Sequence, residues 1–428
     1  MQIAQTKDII QLGIQYDIKS FSSKHKHNLR MKDFKMFNDT EFKYMIDNNY
    51  TPAVYYPGFF FTTYASCVFH YFRDLFEIQK DYLQNLSYNT PLRALSDPGD
   101  SKSIFYLTQD GKFIIKSLQS AKFQSIRKLL PKYRLHMEEN PRSLLPKFSG
   151  LYGYKCNTID MKLVSMINLL PSNIKMHLKY DLKGSTYKRT ASRKEKLKPS
   201  PTFKDLDFDD EYLNNIFLMP NTLSDLLKTI NNDIDFLKKL NKTNYSLLLG
   251  IHFIDEGTSN CSQAASARFN RLMVDSIGME SIQEDAESFP KENCPSLRGS
   301  IPAKSGSGRR MLLFVGIIDI LEEYGALKKI ENTYKTLTIE LTPGFPPDVS
   351  SISVQPPDAY ATRFIEFMTN FVFKPILTNE ELGARSKQSF KAGSSKRLND
   401  DDFDDTSCIS CFKRKKSSRN TINKNDLN

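Results

Sequence analysis

The sequence predicts a mixed α/β (α+β) fold, organised as one large domain or as two lobes, with tails. Its 428 residues, of which 39% are hydrophobic, are sufficient to bury a substantial core. Two short strands surround a turn at 104–116, and longer buried strands are predicted at 161–170 and 311–321. Apolar residues spaced three and four positions apart predict amphipathic helices at 117–130 and 225–240.

The first two segments of the chain differ in composition. Residues 1–50 are polar and basic, whereas the stretch from Tyr55 to Leu86 is rich in aromatic residues. Within that stretch, the spacing of Val68, Phe69 and Phe72 predicts a helix. Most of these aromatic side chains are expected in the core.

A predicted hairpin comes next. The strands at 104–108 and 113–116 flank Gln109-Asp110-Gly111, which is typical of a turn. A turn-rich loop at 96–103 precedes the hairpin, and Lys116 ends its second strand. Taken alone, a lysine at a strand end indicates only a charge that emerges into water.

The net charge of +11 favours an anionic partner and leaves both nucleic acid and an anionic membrane open. Of the six cysteines only Cys408 and Cys411 lie close together, which indicates a reducing compartment without a disulfide framework. The first residues, MQIAQTKDIIQ, lack the apolar core of a signal peptide, and the run at 311–321 is too short to span a bilayer. We therefore expect a cytoplasmic protein whose membrane contact is peripheral.

The stretch 175–198, KMHLKYDLKGSTYKRTASRKEKLK, carries nine Lys or Arg residues against two acids. A strand-like approach leads into Lys183-Gly184-Ser185-Thr186, where glycine and hydroxyls favour a turn with exposed backbone N–H groups. Cations beside such a turn suit a phosphate-bearing ligand. The alternative is a solvated basic loop, which is the commoner outcome for a run of charge.

Residues 181–189, Asp-Leu-Lys-Gly-Ser-Thr-Tyr-Lys-Arg, resemble the signature of phosphatidylinositol phosphate kinases, in particular the type I branch, which is phosphatidylinositol 4-phosphate 5-kinase-like. The resemblance extends from about Leu12 to Phe373. Its further motifs are NPRSLLPKF at 140–148, TNYSLLLG at 243–250, IID at 317–319 and YATRFIEFM at 360–368. The resemblance implies a two-lobed lipid kinase fold, with an antiparallel sheet and helices in each lobe and ATP in the cleft between them.

The resemblance and the composition together divide the chain into four parts. These are an N-terminal segment at 1–50, an N-lobe at 51–170, a C-lobe at 171–378 and a disordered tail at 379–428. Within the C-lobe, residues 255–309 are rich in Ser, Gly, Pro and charge and are predicted to form a long mobile insertion.

The tail contains a second basic segment. Cys408 and Cys411 precede four consecutive cations at 413–416, which suits dual acylation combined with a polybasic patch on an anionic leaflet. A solvated tail with inert thiols is the alternative.

The resemblance also implies the roles of individual residues. Lys116, Ser101 and Ser103 would bind ATP, and Asp319 would hold Mg²⁺. The residues implied to face the lipid headgroup are Lys183, Lys188, Arg189, Lys328, Lys329 and Glu331. Type I members carry Glu at the place of Glu331, which indicates a phosphatidylinositol 4-phosphate substrate.

Three departures from the family pattern affect catalysis. Asn244 stands where the family has its catalytic-loop aspartate, and an amide cannot act as a general base. Lys102 stands where the family loop has glycine between two serines, and no acid occurs between Gly111 and Met137, where a kinase helix carries one. If Asn244 marks a lost base in an otherwise intact site, Asn244→Asp is expected to raise turnover.

The sequence leaves three hypotheses. In the first, the chain is a type I kinase that moves the γ-phosphate of ATP to the 5-hydroxyl of phosphatidylinositol 4-phosphate, with turnover weakened at Asn244. In the second, it is a pseudokinase that binds phosphoinositide membranes or a partner lipid kinase. The third, a nucleic-acid binder, fits the charge but none of the motifs. The expected setting is the cytoplasmic face of the plasma membrane, with a homodimer or a heterodimer with a related kinase left open.

Overall fold

The computed structural model describes most of the two predicted lobes. The described residues are 2–20, 29–43, 45–47, 54–56, 58–86, 91–95, 103–157, 159–171, 174–208, 215–254, 300–340 and 354–376. The tail at 379–428, with its two cysteines and its cations, lies outside them.

The N-lobe contains nine strands and four helices among the described residues. In chain order they are α1 (Gln2–Ser20), β1 (Phe37–Phe42), β2 (Met45–Asp47), β3 (Val54–Tyr56), β4 (Phe59–Tyr64), α2 (Ser66–Leu75), α3 (Gln79–Asn85), β5 (Arg93–Leu95), β6 (Phe105–Leu107), β7 (Phe113–Leu118), α4 (Ser120–Glu139), β8 (Phe148–Cys156) and β9 (Ile159–Ile167). Seven strands form one sheet in the order β1-β4-β8-β9-β7-β6-β5, and every neighbouring pair is antiparallel. Strands β2 and β3 pair separately.

The first helix belongs to this lobe, although residues 1–50 were predicted as a separate polar segment. Ile10, Ile14 and Ile18 are spaced by four, and all three are buried in the core. Gly13 lies so close to Phe61 of β4 that a β-carbon at this glycine would come within 2.3 Å of the ring. The apolar stripe of α1 is narrow, which explains why the average composition of the segment concealed it.

The predicted hairpin and the helix after it are confirmed. Strands β6 and β7 pair with Phe105 opposite Lys116, and Gly111 occupies the turn with a φ of 78°. Helix α4 buries the three side chains that define its predicted apolar face, Phe123, Ile126 and Leu130. It continues past Pro131 to Glu139 because Tyr133 and Met137 extend the buried face by two further turns.

The C-lobe contains seven strands and four helices among the described residues. They are β10 (Leu178–Leu182), α5 (Arg193–Lys196), β11 (Phe203–Lys204), β12 (Ile216–Leu218), α6 (Pro220–Lys239), β13 (Ser246–Phe253), β14 (Ile301–Ser305), β15 (Arg310–Ile318), α7 (Ala326–Glu340), α8 (Pro357–Phe367) and β16 (Phe373–Pro375). They form a second sheet in the order β11-β10-β13-β15-β14-β12-β16. Its inner pairs are antiparallel as expected, whereas the outer pairs β10–β11 and β12–β16 are parallel.

One predicted boundary needs correction. The mobile insertion was placed at 255–309, but Ile301–Ser305 form a strand that pairs with β15 through a turn at Gly308. The alternating burial of this strand was hidden by the Ser, Gly and Lys residues beside it. Residues 255–299 lie outside the described part of the chain.

Residues of the segment 140–148 connect the N-lobe to the C-lobe through hydrogen bonds. The buried carboxylate of Asp233 on α6 accepts hydrogen bonds from the backbone N–H of Leu144 and the hydroxyl of Ser143, both at 2.7 Å. His136 Nε2 of α4 lies 2.7 Å from the same carboxylate. The backbone N–H of Ile317 donates to the carbonyl of Leu144 at 2.8 Å, which holds strand β15 against the N-lobe.

Candidate active site

A cleft of about 840 Å³ lies between the two sheets. Its N-lobe wall includes Ile114 and Lys116 of β7, and its C-lobe wall includes Leu248, Phe314 and Asp319. The connection between the lobes closes one end of the cleft, where Leu169 packs over Gly316 so closely that a β-carbon there would come within 2.7 Å of the leucine. The cleft therefore combines apolar side chains with charged groups that are mostly lysines, which suits an anionic nucleotide.

The predicted ATP residues lie along the N-lobe wall as far as they are described. Lys116 lines the cleft, and its Nζ lies 4.8 Å from the ring centroid of Phe105. Ser103 precedes β6 and is partly exposed. Ser101 and Lys102 lie outside the described residues.

Helix α4 carries no acid before Glu138, as the sequence shows, and contributes a cation to the cleft. Lys122 lines the cleft, and its Nζ lies 3.9 Å from Oε1 of Glu322 in the C-lobe. The charges of the usual kinase pairing are thus differently arranged, with the helix supplying the lysine and the C-lobe supplying the acid.

Asn244 and Asp319 lie at the same end of two neighbouring strands. The pairing of Ser246 with Ile318 brings the residues before β13 and after β15 together. Asn244 has a φ of 62° and Asp319 a φ of 60°, a left-handed conformation that Asn and Asp adopt more readily than most residues. The backbone thus turns sharply at both positions, and Asp319 lines the cleft.

Lys183, Asn244 and Glu322 form a hydrogen-bonded group, which we call the amide cluster. Lys183 Nζ donates to the backbone carbonyl of Asn244 at 2.7 Å and to its Oδ1 at 2.8 Å. Asn244 Nδ2 donates to Oε2 of Glu322 at 2.9 Å. Because a lysine only donates and a carboxylate only accepts, the orientation of the amide is fixed.

Electrostatic surroundings shift the pKa values of this cluster. Burial lowers the pKa of Lys183, and the carboxylates of Asp181, Asp319 and Glu322 offset part of that effect. Burial acts to raise the pKa of Glu322, but the hydrogen bond from Asn244 and the ammonium group of Lys328 outweigh it and lower the pKa. Glu322 is therefore an ionised carboxylate at neutral pH.

The cluster continues into helix α7, where three of the predicted headgroup residues lie. Lys328 Nζ lies 3.1 Å from Oε2 of Glu322 and 2.8 Å from Oε2 of Glu331. Contacts through Glu322 and Lys328 therefore connect the predicted catalytic-loop position with the predicted substrate-selecting residue. The neighbouring Lys329 is exposed.

The turn at 183–185 differs from the sequence prediction. Its backbone N–H groups were expected to be exposed and available to a phosphate, but Asp205 accepts from Lys183 and Gly184 at 2.7 Å and from Ser185 at 3.4 Å. Asp205 is fully buried. The anion that this turn binds is thus a carboxylate of the protein itself.

Arg189 also departs from its predicted headgroup role. Its side chain is buried, with Nε 2.5 Å from Oδ2 of Asp205 and Nη2 2.8 Å from Oδ1 of Asp181. The guanidinium group binds two carboxylates of the protein, so Arg189 holds the turn against strand β10. Lys188 beside it is exposed, with Nζ 5.2 Å from the ring centroid of Tyr187, and its charge faces solvent.

Sequence reasoning missed three acids and a lysine of the site: Asp181, Asp205, Glu322 and Lys122. Asp181 lies inside the basic stretch, and the sequence does not show which strand pairs with it. In the structure it lies opposite Leu248 of β13, and both residues line the cleft. Glu322 comes three residues after Asp319, but nothing local shows that it turns towards Asn244. These side chains contact residues from other segments of the chain, and no periodic sequence pattern reveals such contacts.

The cleft carries side chains that fit a nucleotide together with Mg²⁺. Asp319 and Asp181 line the cleft from the C-lobe, and Lys116 lines it from the N-lobe. Mg²⁺ at phosphoryl-transfer sites is held by one or two carboxylates together with substrate phosphates. Among the described residues no group of three or more His, Cys, Asp or Glu side chains forms a metal site.

A lysine and an aspartate on opposite walls of a cleft between two lobes form the arrangement that kinases use, so fold and site define a kinase class. The family model for phosphatidylinositol-4-phosphate 5-kinase matches residues 86–371. The chain is 43% identical over 382 residues to rat phosphatidylinositol 4-phosphate 5-kinase type-1 beta, covering 86% of this chain and 69% of the rat protein. It is 41% identical over 401 residues to human phosphatidylinositol 4-phosphate 5-kinase type-1 alpha, covering 91% and 70%. The chain belongs to the phosphatidylinositol 4-phosphate 5-kinase family.

None of the helices within the described ranges is both long and apolar enough to cross a bilayer.

Proposed function

We propose that this chain transfers the γ-phosphate of ATP to the 5-hydroxyl of phosphatidylinositol 4-phosphate. The observation that carries the proposal is the position of Lys116 and Asp319 on opposite walls of the cleft, with the amide cluster at the same sheet end as Asp319. Membership of the family supports the reaction class.

Phosphoryl transfer depends mainly on positioning and on stabilising negative charge. Lys116 would hold the ATP phosphates together with Ser101 and Ser103, and Asp319 would hold Mg²⁺. When bound, Mg²⁺ supplies positive charge to the transferred phosphoryl group. Lys183 contributes a buried ammonium group beside Asn244, close enough to the carboxylate of Asp319 for the two charges to interact.

On the lipid side, Lys328 and Glu331 would face the headgroup. Lys328 bridges Glu322 and Glu331, so a headgroup that contacts α7 would also approach the catalytic-loop position. The glutamate at 331 supports the 4-phosphate lipid as substrate over its 5-phosphate isomer.

We further propose peripheral binding at the cytoplasmic face of the plasma membrane. Lys188, Arg193, Lys194 and Lys329 are exposed, and cations near an anionic leaflet contribute about 1 kcal/mol each at moderate salt. A homodimer, or a heterodimer with a related kinase, is compatible with this placement.

The alternative is a pseudokinase that binds phosphoinositide membranes or a partner kinase. Asn244 favours it, because the catalytic-loop position holds no carboxylate. The two functions differ in turnover and not in membrane binding.

The test is phosphate transfer from ATP to vesicles that contain phosphatidylinositol 4-phosphate, with the product position identified by mass spectrometry of the lipid. We expect a 5-phosphorylated product that disappears in Lys116→Met. Lys162→Met is the matched control, because Lys162 lies on the neighbouring strand β9 and pairs with Asp160 at 3.1 Å. Vesicle binding without transfer would favour the pseudokinase.

A further inference from the structure

The catalytic-loop position lacks a carboxylate, but a carboxylate lies one hydrogen bond away from it. Asn244 Nδ2 donates to Oε2 of Glu322 at 2.9 Å, from a residue 78 positions further along the chain. Glu322 comes three residues after Asp319, so it lies at the sheet end that carries the predicted metal ligand. The amide of Asn244 thus connects a buried lysine, Lys183, to an acid.

The surroundings of Glu322 keep it ionised, which is the form that can accept a proton, and leave part of its side chain exposed. About a quarter (24%) of its side chain remains exposed, and it is bordered by two ammonium groups, Lys328 at 3.1 Å and Lys122 at 3.9 Å. Lys122 lines the cleft, and so does Leu321, the residue before Glu322, so the carboxylate lies next to the cleft lining. The lysines also favour anionic substrates around it.

The other acids nearby have their own cationic partners, and Glu331 shares Lys328 with Glu322. Glu323 pairs with Lys242 at 2.9 Å, Asp181 pairs with Arg189 at 2.8 Å, and Glu331 contacts Lys328. Of the acids described around Asn244, Glu322 is the one that contacts its side chain.

We propose that Glu322 is the general base of this site and replaces the carboxylate that position 244 lacks. This inference rests on the proposed phosphoryl transfer. The lipid hydroxyl loses its proton to Glu322 while its oxygen bonds to the γ-phosphorus. The bond from that phosphorus to the bridging oxygen breaks, and ADP leaves with the electron pair. Asn244 orients the hydroxyl by donating the second N–H of its Nδ2 to the hydroxyl oxygen, whose single proton goes to Glu322.

The first test compares Glu322→Gln with Glu323→Gln, which removes the same charge one residue further along. General bases typically contribute about 10²–10⁴-fold, so kcat of Glu322→Gln on phosphatidylinositol 4-phosphate vesicles should fall by that factor. Glu323→Gln should stay within about threefold of wild type. Binding of a fluorescent ATP analogue should be unchanged in both variants, which separates loss of the base from loss of the nucleotide site.

The second test exchanges the amide and the carboxylate between positions 244 and 322. Asn244→Asp alone places a second carboxylate against Glu322, so it should lower the melting temperature and leave turnover at or below the wild-type level. The double variant Asn244→Asp/Glu322→Gln should recover both the melting temperature and the turnover, because the glutamine then donates a hydrogen bond to the new carboxylate. The melting temperatures report the contact independently of activity.

Wild-type turnover that Glu322→Gln leaves intact would overturn the base assignment and keep the proposed function. Equal turnover of Glu322→Gln and Asn244→Asp/Glu322→Gln would also overturn it, because a carboxylate at position 244 would then fail to replace the one lost at position 322. No transfer by any variant, the exchanged pair included, would overturn both proposals.

Discussion

Two acids of the C-lobe, Asp205 and Glu322, are each surrounded by hydrogen-bond donors, yet their environments give them different roles. Asp205 is fully buried, and its two oxygens accept from backbone N–H groups of the 183–185 turn and from Arg189. Glu322 is partly exposed and meets an amide and two lysines on flexible stems. A carboxylate whose two oxygens are both held by buried, rigid donors stabilises the fold, whereas a partly exposed carboxylate beside the catalytic-loop position is accessible to a substrate hydroxyl.

The largest expected effect concerns Asp205. Replacing Asp205 by Asn leaves the guanidinium of Arg189 buried with half of its partners, and breaking a buried ion pair costs about 3–5 kcal/mol. Asp225→Asn breaks the half-exposed pair with Arg142 and should cost about 0–1 kcal/mol. Thermal and urea unfolding of the two variants measures this difference. Equal free energies of unfolding in the two variants would show that Asp205 does not have the structural role assigned to it.

The next effect concerns substrate choice. Glu331→Ala frees Lys328 from one of its two carboxylates and removes the group predicted to select the substrate, whose hydrogen bond to the headgroup would contribute about 1.5–3 kcal/mol. We expect the preference for the 4-phosphate over the 5-phosphate lipid to fall by at least about tenfold. Competition between the two lipids in mixed vesicles gives the ratio. A wild-type preference for the 5-phosphate isomer would refute the role of Glu331.

A smaller effect separates two neighbouring cations. Lys188→Ala removes an exposed charge and should weaken binding to phosphoinositide vesicles about fivefold while the protein melts as wild type does. Arg189→Ala should instead lower the melting temperature, since it leaves Asp205 without its cation. Sedimentation with vesicles, repeated as the salt concentration rises, should show progressively weaker binding. Binding that is insensitive to salt, or reduced equally in both variants without destabilisation, would contradict this division.

The smallest effect is a pH dependence. The pKa of Glu322 lies below its usual value of 4.5, so the ionised group stabilises the fold above that pH, and this contribution is lost as the pH falls through the lowered pKa. The groups that face it are Asn244, Lys122 and Lys328, with Lys183 behind the amide. The difference in unfolding free energy between wild type and Glu322→Gln should therefore shrink below pH 4.5. A constant difference would show that the carboxylate is not stabilised in its ionised form.

Local patterns predicted much of the fold. The hairpin around Gly111, the helix through Phe123 and the strand ending at Asp319 each have their signal within a dozen residues, and the structure confirms them. Helix α1 and strand β14 were missed because polar neighbours diluted their apolar patterns.

The site was less accessible to sequence reasoning. The sequence revealed that Asn244 replaces an acid, but the acid beside it comes from 78 residues away. Likewise, the turn at Gly184 has the composition of an anion site, and only the fold places Asp205 in it. Residues that meet across such separations follow no period, so their contacts depend on tertiary structure.

The most direct test of Glu322 as the general base is the initial rate of phosphate transfer to phosphatidylinositol 4-phosphate by wild type, by Glu322→Gln and by Asn244→Asp/Glu322→Gln. We expect measurable wild-type transfer to the 5-position, a fall of about 10²-fold or more in the single variant and recovery in the double variant. Equal rates in wild type and Glu322→Gln, or no transfer at all, would contradict this role.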